Sequence, residues 1–296
     1  MKRRDFLKDS SGLAFSIGAF GSIQWNGRSF IGDSPTTSDI LGPFYRPNAP
    51  LRNNLLTDKA KGEILDLSGI IYDTDGKKTL DNTLVEIWHA NEKGEYDNTS
   101  PDYNFRAAAR TGKDGKYSFK TILPPPYVAD ADTFRPAHIH FRISHGSKQD
   151  LITQIYFEGD EHLKTDPSTK MPQTMSRILP VRRNADNNHQ ISFDVALRET
   201  YTPEPSAFKK LSGIYFLGKE IGNAEFYQED DLLVMKLNEQ LVEAFTYKGN
   251  NEFEGGLGFT KLKFEFPTAD QVKVTLTRSR REKVVHQGTK ILHYSR

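Results

Sequence analysis

Through most of the chain, apolar and polar residues alternate in short runs that end in Gly, Asp, Asn or Pro. Alternation with period two is the pattern of half-buried strands. It predicts strands over 64–72, 84–88, 117–122, 138–144, 151–157 and 191–197. Asp73-Thr74-Asp75-Gly76, Asn91-Glu92-Lys93-Gly94 and Thr111-Gly112-Lys113-Asp114-Gly115-Lys116 are the turns expected between them. With little helical periodicity, the expected class is all-β: an antiparallel β-sandwich over residues 31–200. Tyr201-Thr202-Pro203-Glu204-Pro205 interrupts the pattern and marks a boundary. Beyond it, runs over 211–217, 231–237, 241–247, 260–266 and 271–276 predict a small, separate all-β domain spanning 206–296.

Ahead of the first strand the pattern fails in a different way. Residues 24–40 are polar and rich in Gly, Ser, Thr and Pro, and read as a linker. Leu41-Gly42-Pro43-Phe44-Tyr45-Arg46-Pro47-Asn48-Ala49-Pro50 holds three prolines, which exclude helix and central strand, so it is an extended arm. Its aromatics require that it pack against something, either as a plain linker or with a direct part in a site.

One strand carries chemistry on one face. In Arg135-Pro136-Ala137-His138-Ile139-His140-Phe141 the two histidines share a face, while Ile139, Phe141 and Ile143 share the other. The second face is core. The first offers paired imidazoles, either to a metal or merely to the surface.

Composition narrows the choice. The 296 residues contain no cysteine, so thiolate metal sites, iron–sulfur clusters, disulfides and thiol nucleophiles are excluded. Any metal must be held by His, Tyr, carboxylate or water. A net charge of +1 without long single-sign runs argues against nucleic acid as a partner. At the start, Lys2-Arg3-Arg4-Asp5-Phe6-Leu7-Lys8 precedes a modest apolar, Gly/Ser-rich run from Gly12 to Ile23. This resembles a twin-arginine signal and predicts export, to the periplasm of a bacterium, with residues 1–30 as signal and linker. The run is too short and too rich in Gly and Ser for a stable membrane span.

A phenol ordinarily titrates near pH 10, and a trivalent cation favours the phenolate strongly. Two His and two Tyr would therefore make a hard N2O2 site suited to Fe(III). The chain has 12 tyrosines, and spacing selects none of them.

The ordered segments Leu67–Gly76, Leu84–Asn91, Gly94-Glu95-Tyr96, Thr111–Ile122, Tyr127, Arg135–Phe141 and Leu151–Asp160 resemble the intradiol ring-cleavage dioxygenases, and the arm Leu41–Pro50 resembles theirs. The resemblance spans roughly residues 41–197. It implies a β-sandwich holding non-haem Fe(III) through Tyr96, Tyr127, His138 and His140. It also implies Arg135 as the active-site arginine, Gln154 as a polar group of the same pocket, and Tyr127 as the ligand that leaves when substrate binds. The implied reaction is cleavage by O2 of a catechol-type diol between its two oxygenated carbons, giving a cis,cis-muconate-type diacid. A homo-oligomer is left open. His89, Ala107-Ala108 and Pro125-Pro126 depart from the family's usual residues beside the pocket, which bears on substrate identity. His89 is expected to be a strand-end histidine satisfied by backbone, and His145 and His162 to be loop residues. Two rivals remain: a non-catalytic β-sandwich binding module, and a zinc or Fe(II) enzyme using His138, His140 and a carboxylate such as Asp132. The unit at 206–296 lies outside the resemblance and is only faintly similar to lipocalin-like β domains.

Overall fold

The computed structural model describes residues 22–25, 30–34, 36, 38–57, 61–130, 133–146, 148, 150–170, 172–198, 205–229, 232–268, 270–279 and 283–293. The basic start and nearly all of the apolar run of the expected export signal lie outside these residues, as does Asp132.

The region read as a linker contains a hairpin, β1 (Ser22–Trp25) with β2 (Phe30–Ser34). Two five-stranded sheets follow. The strands of this region are β3 (Ile64–Tyr72), β4 (Leu84–Trp88), β5 (Arg106–Arg110), β6 (Lys116–Ile122), β7 (Tyr127–Asp130), β8 (Thr133–Arg135), β9 (His138–Ser144), β10 (Leu151–Phe157), β11 (Ile178–Leu179), β12 (Arg182–Arg183), β13 (His189–Ser192) and β14 (Val195–Ala196), all but β7 and β8 in the two sheets. One sheet has the order β11-β10-β9-β4-β5; the other is β12-β13-β3-β14, with β6 also on β3. The β7–β8 hairpin belongs to neither.

The sheets are not purely antiparallel, as expected from sequence. β11 runs parallel to β10, and β13 and β14 run parallel to β3. The chain between β10 and β11 includes 3-10 turns at Glu161–Lys164 and Pro172–Arg177, long enough to return in the same direction. The expected single strand 191–197 is accordingly split at Phe193-Asp194.

The sheets share one core, built from alternate residues such as Leu65, Leu67, Val85, Ile87, Phe119, Ile139, Phe141, Ile143 and Ile155. Each such side chain contributes roughly 1.5–3 kcal/mol when fully buried. This is what commits β9: its apolar face is held in the core, so its histidine face must point the other way.

After the short helix α1 (Pro205–Leu211), eight strands close into an antiparallel barrel: β15 (Gly213–Phe216), β16 (Asn223–Glu229), β17 (Leu232–Leu237), β18 (Gln240–Gly249), β19 (Glu252–Gly255), β20 (Thr260–Thr268), β21 (Gln271–Arg278) and β22 (Val284–His293). The helix was not expected; Pro205 suits its first position, where the missing N–H costs nothing. Leu211, read as strand, ends that helix. β16, β19 and β22 were also not anticipated, because polar residues, and Gly288 in β22, interrupt their alternation.

The barrel has its own core around Phe226, Phe245, Phe264 and Leu276. A third cluster joins the barrel to the sheets: Leu232, Val234 and Ala244 pack with Leu41, Tyr45, Trp88 and Ile152. β17 is a continuous apolar run, Leu232-Leu233-Val234-Met235, because both of its faces are covered. Among the described residues, no helix is long and apolar enough to cross a membrane.

Candidate metal centre

The histidine face of β9 lies between β4 and β10. His138 pairs with Tyr156, and His140 pairs with Gln154 on one side and Trp88 on the other. Both rings are buried. Nδ1 of His138 lies 2.7 Å from the Pro136 carbonyl oxygen, which can only accept, so Nδ1 carries the proton. The lone pair of Nε2 then faces the Tyr96 hydroxyl at 3.2 Å. His140 lies flat against Trp88, with centroids 4.9 Å apart and planes 7° apart. A side chain at Gly42 would meet Cε1 of His140 at 3.1 Å, so the arm's backbone lies close against that edge of the ring.

The two tyrosines complete the group. Tyr96 follows the turn Asn91–Glu95, which Asn91 holds through its Oδ1. Its ring stacks on Phe44 of the arm at 4.4 Å and meets Tyr127 edge-on at 5.7 Å. Tyr127 opens the β7–β8 hairpin, and its ring centroid is 5.5 Å from that of His138. The two histidines are 4.8 Å apart.

Burial sets the charge state. It pushes both phenols up, Tyr96 well above its ordinary value with Tyr127 adding to the effect. It pushes both imidazoles down, with Arg135 nearby reinforcing it. The rings are thus neutral imidazoles and phenols that would ionise only beside a strong positive charge. Nδ1 of His140 is buried without a hydrogen-bond partner, an unmet demand in an otherwise paired cluster. Two nitrogen lone pairs and two ionisable phenols suit a hard trivalent cation, so the residues present fit Fe(III). Among the described residues, no three His, Asp or Glu converge on one point.

Arg135 faces Tyr127 across the hairpin. Its Nη2 donates to Gln154 Oε1 at 3.0 Å and lies 3.5 Å from the Tyr156 hydroxyl. Its Nε is 2.7 Å from Asp166 Oδ2, an ion pair not aligned as a hydrogen bond. Burial alone would disfavour the guanidinium; Tyr156 and Asp166 outweigh it, and Arg135 stays charged. Gln154 donates from Nε2 to the Ile40 carbonyl at 2.7 Å. Tyr156 reaches Asp39 Oδ2 at 3.2 Å, and Asp39 forms a fully buried ion pair with Arg177. Two arginines and two aspartates balance, as buried charges must.

All six residues singled out from sequence, Tyr96, Tyr127, His138, His140, Arg135 and Gln154, meet in this buried cluster. Asp39, Tyr156, Asp166 and Arg177 were not anticipated. Tyr156 could have been found, since it lies two residues past Gln154 on one strand and so shares its face; the others carry no local signal. Arg106, beside Ala107-Ala108, is also buried, donating to the Asp97 carbonyl at 2.7 Å, and burial lowers its pKa to about 10.

His89 is buried outside this ring cluster. Its Nδ1 lies 2.8 Å from the Ala90 carbonyl oxygen and its Nε2 2.7 Å from Thr121 Oγ1, so backbone and hydroxyl satisfy it. His162 stacks on Phe134, with planes 5° apart.

Comparison with known proteins gives a consistent picture. The family model described as "Dioxygenase" matches residues 40–199. The chain is 36% identical over 174 residues to catechol 1,2-dioxygenase 2 of Acinetobacter lwoffii, covering 52% of this chain and 61% of that protein. It is 32% identical over 155 residues to an intradiol ring-cleavage dioxygenase of Aspergillus niger, covering 46% and 49%. The chain thus spans about half to two thirds of the length of these curated relatives. Among solved structures, 3-chlorocatechol 1,2-dioxygenase of Rhodococcus opacus 1CP superposes with a TM-score of 0.51 at 27% identity, over 56% of this chain and 74% of that one. Catechol 1,2-dioxygenase of Pseudomonas arvilla C-1 gives 0.51 at 29% identity, over 57% and 63%.

Proposed function

The chain belongs to the intradiol ring-cleavage dioxygenase family, and from that premise we propose that it cleaves a catechol-type aromatic diol with O2 between the two hydroxylated carbons, giving a cis,cis-muconate-type diacid. The observation that carries this reading is the meeting of two tyrosines, two histidines and a buried arginine in one cluster.

Tyr96, Tyr127, His138 and His140 would hold non-haem Fe(III), which supplies the means to bind the diol through both oxygens and make its ring reactive toward O2. The protein's own groups do the rest. The Pro136 carbonyl fixes His138 in the tautomer that presents Nε2. Trp88, stacked on the ring, fixes the plane of His140, and the Gly42 backbone lies against its Cε1 edge. Held as a phenolate, Tyr127 would be the group to take up a proton from the incoming diol at its Oη, becoming the neutral phenol that burial favours and turning aside. Tyr127 pairs with Arg135 across a hairpin that belongs to neither five-stranded sheet, so the motion required is a rotation of the Tyr127 side chain that leaves Arg135 in place. Arg135, held by Gln154 and Asp166, is a fixed cation in a site of low dielectric, able to stabilise negative charge developing on the ring. Gln154 and Tyr156 hold that guanidinium in place through hydrogen bonds that water would otherwise make.

The separate cores of the sheets and the barrel support reading residues 31–200 and 206–296 as two domains. Export is proposed from Lys2-Arg3-Arg4; changing both arginines to lysine should retain the protein in the cytoplasm on cell fractionation.

The test of function is oxygen uptake by iron-loaded protein with a panel of catechol, protocatechuate, hydroxyquinol and larger aryl diols. The expected product is a ring-opened diacid containing both atoms of O2. Uptake with none of them, by fully iron-loaded protein, overturns the proposal in favour of a binding module.

A further inference from the structure

The part of the chain outside the dioxygenase match meets the site at the arm. Asp39 and Ile40 are the base of the arginine network: Asp39 Oδ2 receives Tyr156 and Arg177, and the Ile40 carbonyl receives Gln154. Directly against them lies Gly256 of the barrel. A Cβ on Gly256 would sit 2.0 Å from the Asp39 carbonyl oxygen and 2.7 Å from the Ile40 nitrogen. Those are backbone atoms, and Asp39 N is itself bonded to the Ile152 carbonyl at 2.8 Å, so they have little room to yield.

Two further contacts bind the same arm to the barrel. Leu232, Val234 and Ala244 pack on Leu41, Tyr45 and Trp88. Arg142 of β9 donates to the Tyr45 hydroxyl at 2.7 Å and to Glu229 of β16 at 3.3 Å, tying arm and barrel through one guanidinium. Gly42 and Phe44, between these anchor points, lie on His140 and Tyr96.

We propose that the C-terminal barrel is a clamp for the active-site arm, and that Gly256 is a positioning residue acting on Arg135 through Asp39, Ile40, Gln154 and Tyr156. The barrel is then part of the working enzyme and not an appended module. This rests on the catalytic reading above only for its kinetic consequence; the structural clamp stands without it.

The test uses the full chain. A Trp25→Phe background leaves Trp88 as the sole tryptophan, and Trp88 reports the arm because Tyr45 lies edge-on to it at 5.0 Å. In iron-free protein, Gly256→Ala should make Trp88 emission more accessible to acrylamide. In iron-loaded protein, kcat and kcat/KM should fall together by on the order of ten- to a hundred-fold, as expected for misplaced catalytic groups. The control is Gly288→Ala, whose Cβ would meet Leu217 and Phe216 of the barrel first. It should lower thermal stability yet leave Trp88 quenching and kcat unchanged. Should Gly256→Ala not fold, Glu229→Gln is read in its place and should shift Trp88 quenching in the same direction. The clamp is overturned if the variant read matches Gly288→Ala in both quenching and kcat. A wild-type protein inactive on every diol, but with Trp88 quenching still sensitive to Gly256→Ala, overturns the catalytic reading and leaves the clamp standing.

Discussion

The hydroxyl of Tyr96 lies 3.2 Å from Nε2 of His138, the nitrogen left with its lone pair because the other is committed to the Pro136 carbonyl. A phenol and an imidazole held in this way, in a buried site, form one edge of a cation site whose proton can be exchanged for metal. Tyr96→Phe keeps the ring stacked on Phe44 and removes only the oxygen. The iron-loaded variant should lose most of the visible tyrosinate-to-Fe(III) band, and turnover should fall by at least ~100-fold, the scale of losing a preorganised electrostatic group. Visible spectra normalised to measured iron content check this. An unchanged band at full iron loading would remove Tyr96 from the ligand set.

The ion pair of Arg135 with Asp166 gives a second prediction. Arg135→Gln should lower kcat by roughly 100- to 1,000-fold. Asp166→Asn keeps the shape but leaves a buried guanidinium short of its counter-charge, which typically costs 3–5 kcal/mol when a buried pair is broken. Its main effect should therefore be on stability, seen as a lower denaturation midpoint in urea. If Asp166→Asn leaves stability unchanged, Arg135 is not held by that carboxylate.

His89 predicts an acid limit on stability. Burial lowers its pKa from 6.5 to about 4 in the folded protein. Between those values the unfolded chain binds a proton that the folded one does not, so the contribution is fully present above about pH 6.5. It is lost as pH falls toward 4, by on the order of 3 kcal/mol. In iron-free protein, His89→Gln should make the fall of unfolding free energy between pH 7 and 4.5 less steep, the remaining slope coming from His138 and His140, which burial also pushes down. An equal slope in both proteins would assign the acid sensitivity elsewhere.

How much of this was legible beforehand follows the range of the interactions. The face of β9 was readable because alternation is local: Ile139, Phe141 and Ile143 in the core oblige His138 and His140 to the other side. The arm's burial followed from its prolines and aromatics, though not its two contacts with His140 and Tyr96. Asp39, Asp166 and Arg177 were invisible because their partners lie far along the chain and nothing beside them marks it. β5 was missed because Arg-Ala-Ala-Ala-Arg has no β-branched residue; its place in the sheet is imposed by pairing with β4. The barrel was recognisable as β but not as closed, since β22, which completes it against both β21 and β15, is interrupted by polar residues and Gly288.

Gly94 ties the turn before Tyr96 to the position of Tyr127. Its φ is +81°, a conformation that costs an L-residue about 1 kcal/mol or more. A Cβ there would also lie 2.7 Å from Cβ of Tyr127, close to the backbone and not at the end of a flexible side chain. Ala at this position must therefore strain the turn and push the start of the β7–β8 hairpin outward. Each kcal/mol lost should lower the thermal midpoint by about 2–4 °C. A displaced Tyr127 should weaken or shift the visible band of the iron-loaded protein, and an error of about 1 Å in its placement can cost ~100-fold in rate. Gly146→Ala is the matched comparison: nothing lies within 4 Å of its added Cβ, and stability, colour and rate should stay near wild type. Gly94→Ala that is destabilised but keeps an unaltered band would mean that the turn absorbs the methyl group, and that the Tyr127 side chain is positioned from Arg135 and the hairpin alone.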